Sequence, residues 1–352
     1  MAFIEKLILY CIHQLNGERT IYSIYHLLKG KKSSQTIQDA HLFSLAKYFG
    51  VFGHLSRTFL EEFVEAALQR NWIKSCSGDK QHYILTDQGK TVLENQLQIN
   101  PLPLYVDGWR KIQKTQLVWE RLSLLVQVVS NLVFKENRYI PIQKNKDAHR
   151  WLKGFLQQFS KKREELGKIL FEELTFCLGL TGDLAPAVLI YRLTGNKCIG
   201  LTSQQAAEEL KMEISEYEIQ FLNCLHYLIE KIEGNHDQYL LLSNLLFQTE
   251  QEYTLTQSAQ RTFEMIQKGY SLERIAGWRK LKKSTIEDHV VEIALNAVNF
   301  SIDPYVEKDL QEEILQCAKD ISSRQLKTIR EKVEKANYFE IRLVLAKLGD
   351  RK

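Results

Sequence analysis

The stretch SLERIAGWRKLKKSTIEDHVVEI, residues 271–293, decides how the C-terminal part of the chain folds. Ser271 is placed to cap a first helix, whose buried pair is Ile275 and Ala276. A short turn without glycine follows, and Ser284 or Thr285 is expected to open a second helix. The apolar residues of that helix recur at helical spacing: Ile286, Val290 and Ile293. Two short helices joined by a tight turn predict a helix-turn-helix.

The second helix of this motif has basic side chains at its start and acidic side chains in the turn that follows. Lysines at its start are placed to hold phosphates: Lys280, Lys282 and Lys283. Glu287 and Asp288 follow at positions where a helix that reads base edges usually presents basic or amide side chains. The same pattern also fits a tri-helical protein-interaction domain, so both interpretations stay open.

The composition indicates a folded, mostly helical protein. The chain has 352 residues, of which 44% are hydrophobic, enough for two or three domains with separate cores. Prolines and glycines are few, five and seventeen, and long segments show a helical period. The net charge of +4 is concentrated at the ends, with 11 Lys and Arg against 9 Asp and Glu in residues 1–100 and 18 against 15 in residues 254–352. This distribution agrees with nucleic-acid binding but is too weak to predict it alone.

The cysteines and the hydropathy pattern predict a cytoplasmic protein without metal or cofactor. Six cysteines lie far apart, with no C-x-x-C pair and no histidines at ligand spacing, so we expect reduced thiols. The apolar start of the chain is interrupted by Glu5 and Lys6, which argues against a signal peptide. No segment approaches the roughly 20 apolar residues that a membrane span needs.

Residues 1–98 show the order of elements found in a winged helix. Amphipathic helices are predicted first, among them one around Ile37–Tyr48 and one that Ser56 caps and that reaches about Gln69. A two-stranded hairpin follows, with strands near Trp72–Lys74 and His82–Leu85. The segment Thr86–Lys90 then leads into a closing helix. We therefore expect a winged helix that ends before Pro101 and Pro103.

Residues 99–253 are expected to form a helical domain, and residues 254–352 a helix-turn-helix domain. The middle region predicts several helices, including Asp183–Leu193, Tyr239–Leu246 and one that Thr202 caps with Gln205 in a capping box. Its carboxylate pairs are adjacent in sequence, so they diverge around a helix and indicate a solvated surface. The region is nearly neutral, and we expect it to dock a protein partner or to act as a spacer.

Motifs for catalysis are missing from the sequence. There is no G-x-x-x-x-G-K-[ST] phosphate loop, no acidic Walker-B-like box, no nucleophile elbow and no dinucleotide fingerprint. We therefore expect a protein that is not an enzyme.

The helix-turn-helix stretch resembles two known patterns. Key residues match the LuxR-type motif: Ala276, Leu281, Thr285, Ile286 and His289. Over residues 254–348 it resembles more closely the helix-turn-helix domain at the C-terminus of many RecQ helicases, which also carries an Arg at the position of Arg279. We expect DNA contacts from this stretch at Arg279, Lys280, Lys282, Lys283, Ser284 and Thr285.

The N-terminal region resembles the winged-helix domain of RecQ helicases. The segments that carry this resemblance are LLKGKKS, KYFG and ILTDQGKTVL, residues 27–33, 47–50 and 84–93. In that family the domain binds duplex DNA and the hairpin tip helps to part the strands. The resemblance implies DNA contacts at Lys29, Lys31, Lys32, Arg57, Thr58, Lys74, Lys80, His82 and Tyr83. Because Ile84 and Leu85 follow it, Tyr83 fits an inward-facing strand position equally well.

The combination of these two modules without a helicase motor resembles the YpbB family, over the whole length of the chain. That resemblance implies a non-catalytic, nucleoid-associated accessory protein that acts with a short RecQ-like helicase on forked or duplex DNA, in DNA repair or replication-fork maintenance. Two alternatives stay open. A transcription regulator would need a dimer element and a basic reading helix. A protein-interaction scaffold would show no affinity for DNA even at low salt.

Overall fold

The computed structural model describes residues 1–76, 81–159, 165–179, 184–246, 255–297, 299–321 and 326–348. Contacts divide the chain into two compact units. The central unit consists of Met1–Leu7 and Asn95–Glu250, and the terminal unit of Ile8–Glu94 and Gln251–Lys352. Most of the predicted winged helix and the predicted helix-turn-helix domain thus contribute to the same unit. The domain boundaries expected after residues 98 and 253 stay a prediction.

The N-terminal part has the expected order of helices, hairpin and closing helix. Its elements are α1 (Phe3–Leu15), α2 (Ile21–Leu28), α3 (Ser34–Leu42), a 3-10 turn (Ala46–Tyr48), α4 (Arg57–Gln69), β1 (Ile73–Ser75), β2 (Tyr83–Leu85) and α5 (Asp87–Ile99). Ser56 caps α4 by accepting a hydrogen bond from the N–H of Phe59. The helix expected around Ile37–Tyr48 was wrong in its bounds. It begins earlier, because Ser33 caps it, and it ends before Ser44, which has a φ of 57°.

The L-T-x-x-G sequence that closes the winged helix has a specific packing role. Thr86 donates its hydroxyl to the Asn71 carbonyl at 2.5 Å and accepts the N–H of Gly89 at 3.0 Å. A Cβ atom on Gly89 would lie only 1.9 Å from the carbonyl oxygen of Trp72. The start of α5 can therefore pack against the backbone of Trp72, the residue before β1, only when glycine occupies position 89.

The C-terminal part is entirely helical in the described residues. Its helices are α12 (Gln257–Gln267), α13 (Leu272–Arg279), α14 (Lys283–Asn296), α15 (Lys308–Ile321), α16 (Leu326–Lys332) and α17 (Tyr338–Leu348). Ser271 caps α13 as expected, through the N–H of Arg274. Ser284 or Thr285 was the wrong start for the second helix. It begins at Lys283, because the N–H of Thr285 already donates to the carbonyl of Lys282, the N-cap residue.

Helix α14 lies at the centre of the terminal unit. It packs against α12 and α17, and also against α3 from the N-terminal part. More than half of its residues are buried: Ile286, His289, Val290, Val291, Glu292, Ile293, Ala294 and Leu295. The second helix of the helix-turn-helix is therefore a core helix of the unit rather than a surface helix.

The central unit is a helical assembly around two long helices. Its elements are α6 (Gly108–Val133), α7 (Lys146–Gln158), α8 (Leu166–Gly179), α9 (Ala187–Ile190), α10 (Ser203–Glu209), α11 (Ile214–Gly234) and two 3-10 segments, His236–Gln238 and Leu242–Leu246. The predicted capping box of Thr202 and Gln205 is present. The helix expected at Asp183–Leu193 is shorter, since Pro186 forms its N-cap. The helix expected at Tyr239–Leu246 is instead a 3-10 segment over Leu242–Leu246. Among the described helices, none is both long and apolar enough to cross a bilayer.

A buried histidine of α11, His226, joins this helix to the linker that precedes α6. His226 accepts the N–H of Asp107 on Nδ1 at 2.9 Å, and its Nε2 lies 2.8 Å from the hydroxyl of Thr115. The acceptor role of Nδ1 requires a neutral ring with the proton on Nε2. Burial, and secondarily the charge of Lys111, lowers the pKa of His226 to about 3.

Candidate nucleic-acid interface

The N-terminus of α4 meets an aromatic side chain of α2. The guanidinium of Arg57, the first residue of α4, lies 4.2 Å from the ring centroid of Tyr22. The Tyr22 hydroxyl donates to the carboxylate of Glu61 at 2.7 Å, and the same carboxylate lies 3.9 Å from Arg57. Thr58 is exposed beside them in the first turn. Arg57 therefore packs against a ring while its side chain stays 60% exposed to solvent.

Two further cations lie around the C-terminal end of α2. The ammonium of Lys29 is 5.3 Å from the ring of Tyr25. Partial burial lowers the pKa of His26, and the charges of Lys31 and Arg57 lower it further. Lys31, in the loop after α2, and Arg57, in α4, are thus both close enough to His26 for their charges to act on it. We call Lys29, Lys31 and Arg57 the α2–α4 cationic face.

The backbone of the basic loop is fixed by a close approach of two glycines. Gly30 has a φ of +72°, and a Cβ atom on it would lie 2.9 Å from the Cα of Gly50. The N–H of Gly50 donates to the carbonyl of Leu27 at 2.9 Å. The loop that carries Lys29 and Lys31 therefore depends on glycine both for its backbone conformation and for its packing.

The hairpin residues divide between the two faces of the strands. Tyr83 is half-buried on the same face as the buried Leu85, so the inward orientation is the one observed. A hydrogen bond to Glu61 raises the pKa of Tyr22, and the nearby Tyr83 adds to that increase. His82 is half-buried and its carbonyl accepts the N–H of Cys76 at 2.9 Å. Lys80 lies outside the described residues.

Lys74 lies on the opposite face of the hairpin from Tyr83. It lines an open groove of about 580 Å³ together with His13, Asn16, Ile84, Asp87 and Lys90. In this groove Lys90 is paired with Asp87 at 3.1 Å. The structure therefore separates Lys74 from the α2–α4 cationic face, although the sequence placed them on one binding surface.

Acidic residues of α14 are used inside the terminal unit. Asp288 forms an ion pair with Arg342 of α17 at 2.6 Å, and Arg342 also donates to Gln38 of α3 at 2.9 Å. Glu292 is buried and accepts the hydroxyl of Thr256 at 3.0 Å, and burial raises its pKa. These contacts explain why a helix at the groove-reading position carries acidic residues. Through Asp288 and Arg342, α14 is joined to α17 and to Gln38 of α3.

Arg279 belongs to a buried polar cluster. Its guanidinium donates to the carbonyl and hydroxyl of Ser258, at 2.8 and 2.9 Å, and to the hydroxyl of Thr262. The hydroxyl of Thr262 in turn lies 2.9 Å from Nδ1 of His289. Burial, and secondarily the charge of Arg279, lowers the pKa of His289 to about 4. Arg279 thus ties α13 to α12, and we withdraw it from the DNA contacts that the sequence suggested.

The remaining candidates of the helix-turn-helix lie at the turn and the first turn of α14. Lys280 is exposed in a left-handed backbone conformation, with a φ of 52°, and Lys282 is exposed at the N-cap. Lys283 forms an ion pair with Glu273 at 2.8 Å, so its charge is partly compensated. Ser284 is exposed and Thr285 is half-buried. Within the described residues, Lys280 and Lys282 form no ion pair, in contrast to Lys283.

Lys32 is exposed in the loop after α2. Its charge lowers the pKa of Glu292 in α14, against the larger effect of burial. Lys32 therefore lies close enough to α14 for its charge to act on that helix.

Sequence reasoning missed the aromatic partners of the cations. Tyr22, Tyr25 and His26 alternate on α2 with its buried residues Ile21, Ile24 and Leu27. That periodicity predicts a solvent-facing aromatic stripe, and it was visible in the sequence. A second aromatic and cationic cluster lies at α13, where Tyr270 just before the helix and Arg274 and Trp278 within it are spaced four residues apart.

Comparison with known proteins agrees with this architecture. The RQC domain family model matches residues 5–101, and a helix-turn-helix domain family model matches residues 258–345. Protein YpbB of Bacillus subtilis (strain 168) is 36% identical over 348 residues, which cover 99% of this chain and 98% of that protein. The chain belongs to the YpbB family. No solved structure is significantly similar to this YpbB-family chain.

The matched domains connect this member of the YpbB family to RecQ proteins, in which both domains are C-terminal. They confirm the predicted mostly helical, multi-domain class with a winged helix first and a helix-turn-helix last. RQC and helix-turn-helix domains are DNA-binding types, so the matches support DNA as a partner. The matched ranges include the α2–α4 cationic face and the lysines of the α13–α14 turn.

Proposed function

We propose that this protein is a non-catalytic DNA-binding accessory protein that acts with a RecQ-like helicase in DNA repair or replication-fork maintenance. The observation that carries the DNA-binding part is the α2–α4 cationic face, where Arg57 lies 4.2 Å from the ring of Tyr22 and Lys29 lies 5.3 Å from the ring of Tyr25. The RQC match gives this face a domain context in which duplex binding is expected. The helicase partnership and the biological process rest on the family resemblance.

Phosphate contacts explain how such a face would work. Exposed Lys and Arg side chains replace the counterions around a duplex, so affinity falls steeply as salt rises and depends little on sequence. Arg57 is fixed over Tyr22, which reduces the side-chain freedom that it loses on binding. We expect recognition of duplex shape and charge rather than of base edges.

The transcription-regulator alternative requires a helix that can enter the major groove. In this chain the helix at that position, α14, is buried against α3, α12 and α17. Its Asp288 is paired with Arg342. We therefore favour the accessory function over a regulator that reads sequence.

The first test is the binding of fluorescent forked and blunt duplexes by the full chain across a salt series. We expect Lys31→Glu/Arg57→Glu to weaken binding at low salt by about tenfold or more and to reduce the salt slope by about 2. The matched control is Lys144→Glu/Lys146→Glu, which changes the charge equally at exposed positions of the central unit. Equal affinity of both double variants and the wild type would contradict the proposed face, and absence of binding at low salt would favour the scaffold alternative.

The partnership needs a separate experiment. The purified chain is mixed with a short RecQ-like helicase that lacks RQC and helix-turn-helix domains, and fork unwinding is measured with and without it. We expect faster unwinding with the wild type and less stimulation with Lys31→Glu/Arg57→Glu. Unchanged unwinding, together with no co-elution on a sizing column, would remove the helicase from the proposal while leaving DNA binding untouched.

A further inference from the structure

Helix α13 exposes an aromatic side chain that the core does not use. Trp278 is 55% exposed, whereas the opposite side of the helix carries the buried Ile275 and Ala276, which pack with Ile286. A single exposed apolar side chain is common on protein surfaces, so Trp278 becomes informative only through the side chains that surround it.

Trp278 belongs to a cluster with a defined geometry. Its ring centroid lies 4.7 Å from that of Tyr270, with an angle of 66° between the ring planes. The guanidinium carbon of Arg274 lies 4.7 Å from the Trp278 ring and 4.9 Å from the Tyr270 ring. Contacts with both rings hold this cation in place. We call Tyr270, Arg274 and Trp278 the α13 aromatic cluster.

The charge around this cluster is positive. The neighbouring acid, Glu273, is already paired with Lys283 at 2.8 Å. Among the described residues, no acidic side chain forms an ion pair with Arg274, Lys280 or Lys282. The surface beside the cluster therefore offers three cations without an acidic partner within the described part of the chain.

We propose that the α13 aromatic cluster is a stacking site for single-stranded DNA, with Lys280 and Lys282 holding the adjacent phosphates. Unpaired bases stack on aromatic rings and on guanidinium planes, while cations follow the backbone. In a duplex the base faces are covered by their neighbours, so the rings of this cluster have nothing to stack on except a terminal pair. A protein partner with an apolar face fits less well, because the exposed residues close to Trp278 in sequence, Arg274, Gly277 and Lys280, add no apolar side chain. The inference rests on the proposed DNA-binding function and extends it to the unpaired strand of a fork.

The test compares binding of a short fluorescein-labelled oligo(dT) and of a blunt duplex by the full chain. Trp278→Ala should weaken oligo(dT) binding about fivefold or more and leave duplex binding unchanged. Trp278→Phe keeps a ring and should retain most of the affinity. The matched control is Tyr338→Ala, which removes a similarly exposed aromatic side chain of the same unit, 52% exposed, and should change neither affinity. Circular dichroism of each variant checks that the fold is intact.

Several outcomes would overturn the stacking site. If Trp278→Ala leaves oligo(dT) binding unchanged while the wild type binds the duplex, the cluster is not a single-strand site and the proposed function survives. If poly-glutamate of matched charge competes with oligo(dT) as well as unlabelled oligo(dT) does, the surface is a general anion site. If the wild type binds neither DNA at low salt, the proposed function and the stacking site both fail.

Discussion

Gly89 shows how one residue fixes the junction between the hairpin and α5. Its Cα faces the Trp72 carbonyl so closely that any side chain would collide with backbone, which cannot move aside as a flexible side chain can. Thr86 holds the same junction through its hydroxyl. The sequence motif is thus explained by packing and hydrogen bonding, without reference to DNA.

We therefore expect Gly89→Ala to lower the free energy of unfolding by about 3 kcal/mol, because the added methyl group must displace backbone. The matched control is Gly277→Ala, at a helical position of the same unit where a Cβ atom meets nothing within 4 Å. That substitution should raise stability by about 1 kcal/mol. Urea unfolding followed by circular dichroism measures both, and equal effects of the two substitutions would contradict the packing explanation.

His226 should make the stability of the protein depend on pH. The folded chain keeps His226 neutral down to about pH 3, whereas in the unfolded chain its pKa is near the usual histidine value of 6.5. Between these values the unfolded state binds more protons, so stability is complete above pH 6.5 and is lost as the pH falls. The urea concentration at the midpoint of unfolding of the wild type should therefore decrease from neutral pH toward pH 5.

His226→Leu should have a lower midpoint at neutral pH, because the N–H of Asp107 loses its acceptor. It should also show a smaller decrease on acidification than the wild type. His236→Asn, at an exposed histidine of the same unit, should keep the full decrease. The same pH dependence in all three proteins would show that His226 is not its source.

At the scale of the element, the helix-turn-helix packs against other helices of the terminal unit and also exposes cations to solvent. Helix α13 is joined to α12 through Arg279, and α14 is joined to α3 and α17 through Arg342 and Asp288. The cations that remain on the surface lie at the turn between the two helices. Stability and DNA affinity should therefore depend on different residues of the same motif.

Arg279→Gln should lower the free energy of unfolding by about 1–3 kcal/mol, because it leaves acceptors of α12 without a charged donor. It should not change the salt dependence of DNA binding. Lys282→Gln, a few residues further on, should leave stability unchanged and reduce the salt slope by about 1. Urea unfolding and a salt titration of fluorescence anisotropy separate the two effects, and a change of salt slope in Arg279→Gln would return this residue to the DNA surface.

Local signals predicted the elements well, and long-range contacts explain where prediction failed. The caps of α4, α10 and α13 follow from Ser56, Thr202 and Ser271, because a capping side chain acts within its own first turn. The end of α3 depends on a left-handed Ser44, and the orientation of Lys74 and Lys32 depends on how the hairpin and the loop pack. No local pattern could show that α14 would pack against α3, which is more than 200 residues away in sequence, or that Asp288 would pair with Arg342 of α17.

For the whole molecule, the main result is that the N-terminal and C-terminal parts share one compact unit. Three independent domains would each fold without the others. A shared unit instead requires α14 and α17 to complete the packing of α3. The two candidate DNA surfaces, the α2–α4 cationic face and the α13 aromatic cluster, belong to this same unit.

A chain truncated after residue 250 should therefore lose protection from hydrogen exchange in α3, whose buried residues include Ile37 and Ala40. Helix α4 is the internal control, because it packs against β1 within the N-terminal part and should keep its protection. Mass spectrometry of the full and truncated chains measures both helices. Unchanged exchange in α3 would instead support an independent N-terminal domain.

The contact between Gly30 and Gly50 has a consequence for the kinetics and thermodynamics of DNA capture. Hydrogen bonds from Gly50 to Leu27 and from Lys31 to His26 fix the backbone of the basic loop in the free protein. The loop is therefore preorganised, and DNA association needs to order only the side chains of Lys29 and Lys31, at about 0.5–1.5 kcal/mol for each immobilised side chain. A duplex can thus dock without waiting for the loop to fold, so capture would be limited by diffusion and electrostatic steering.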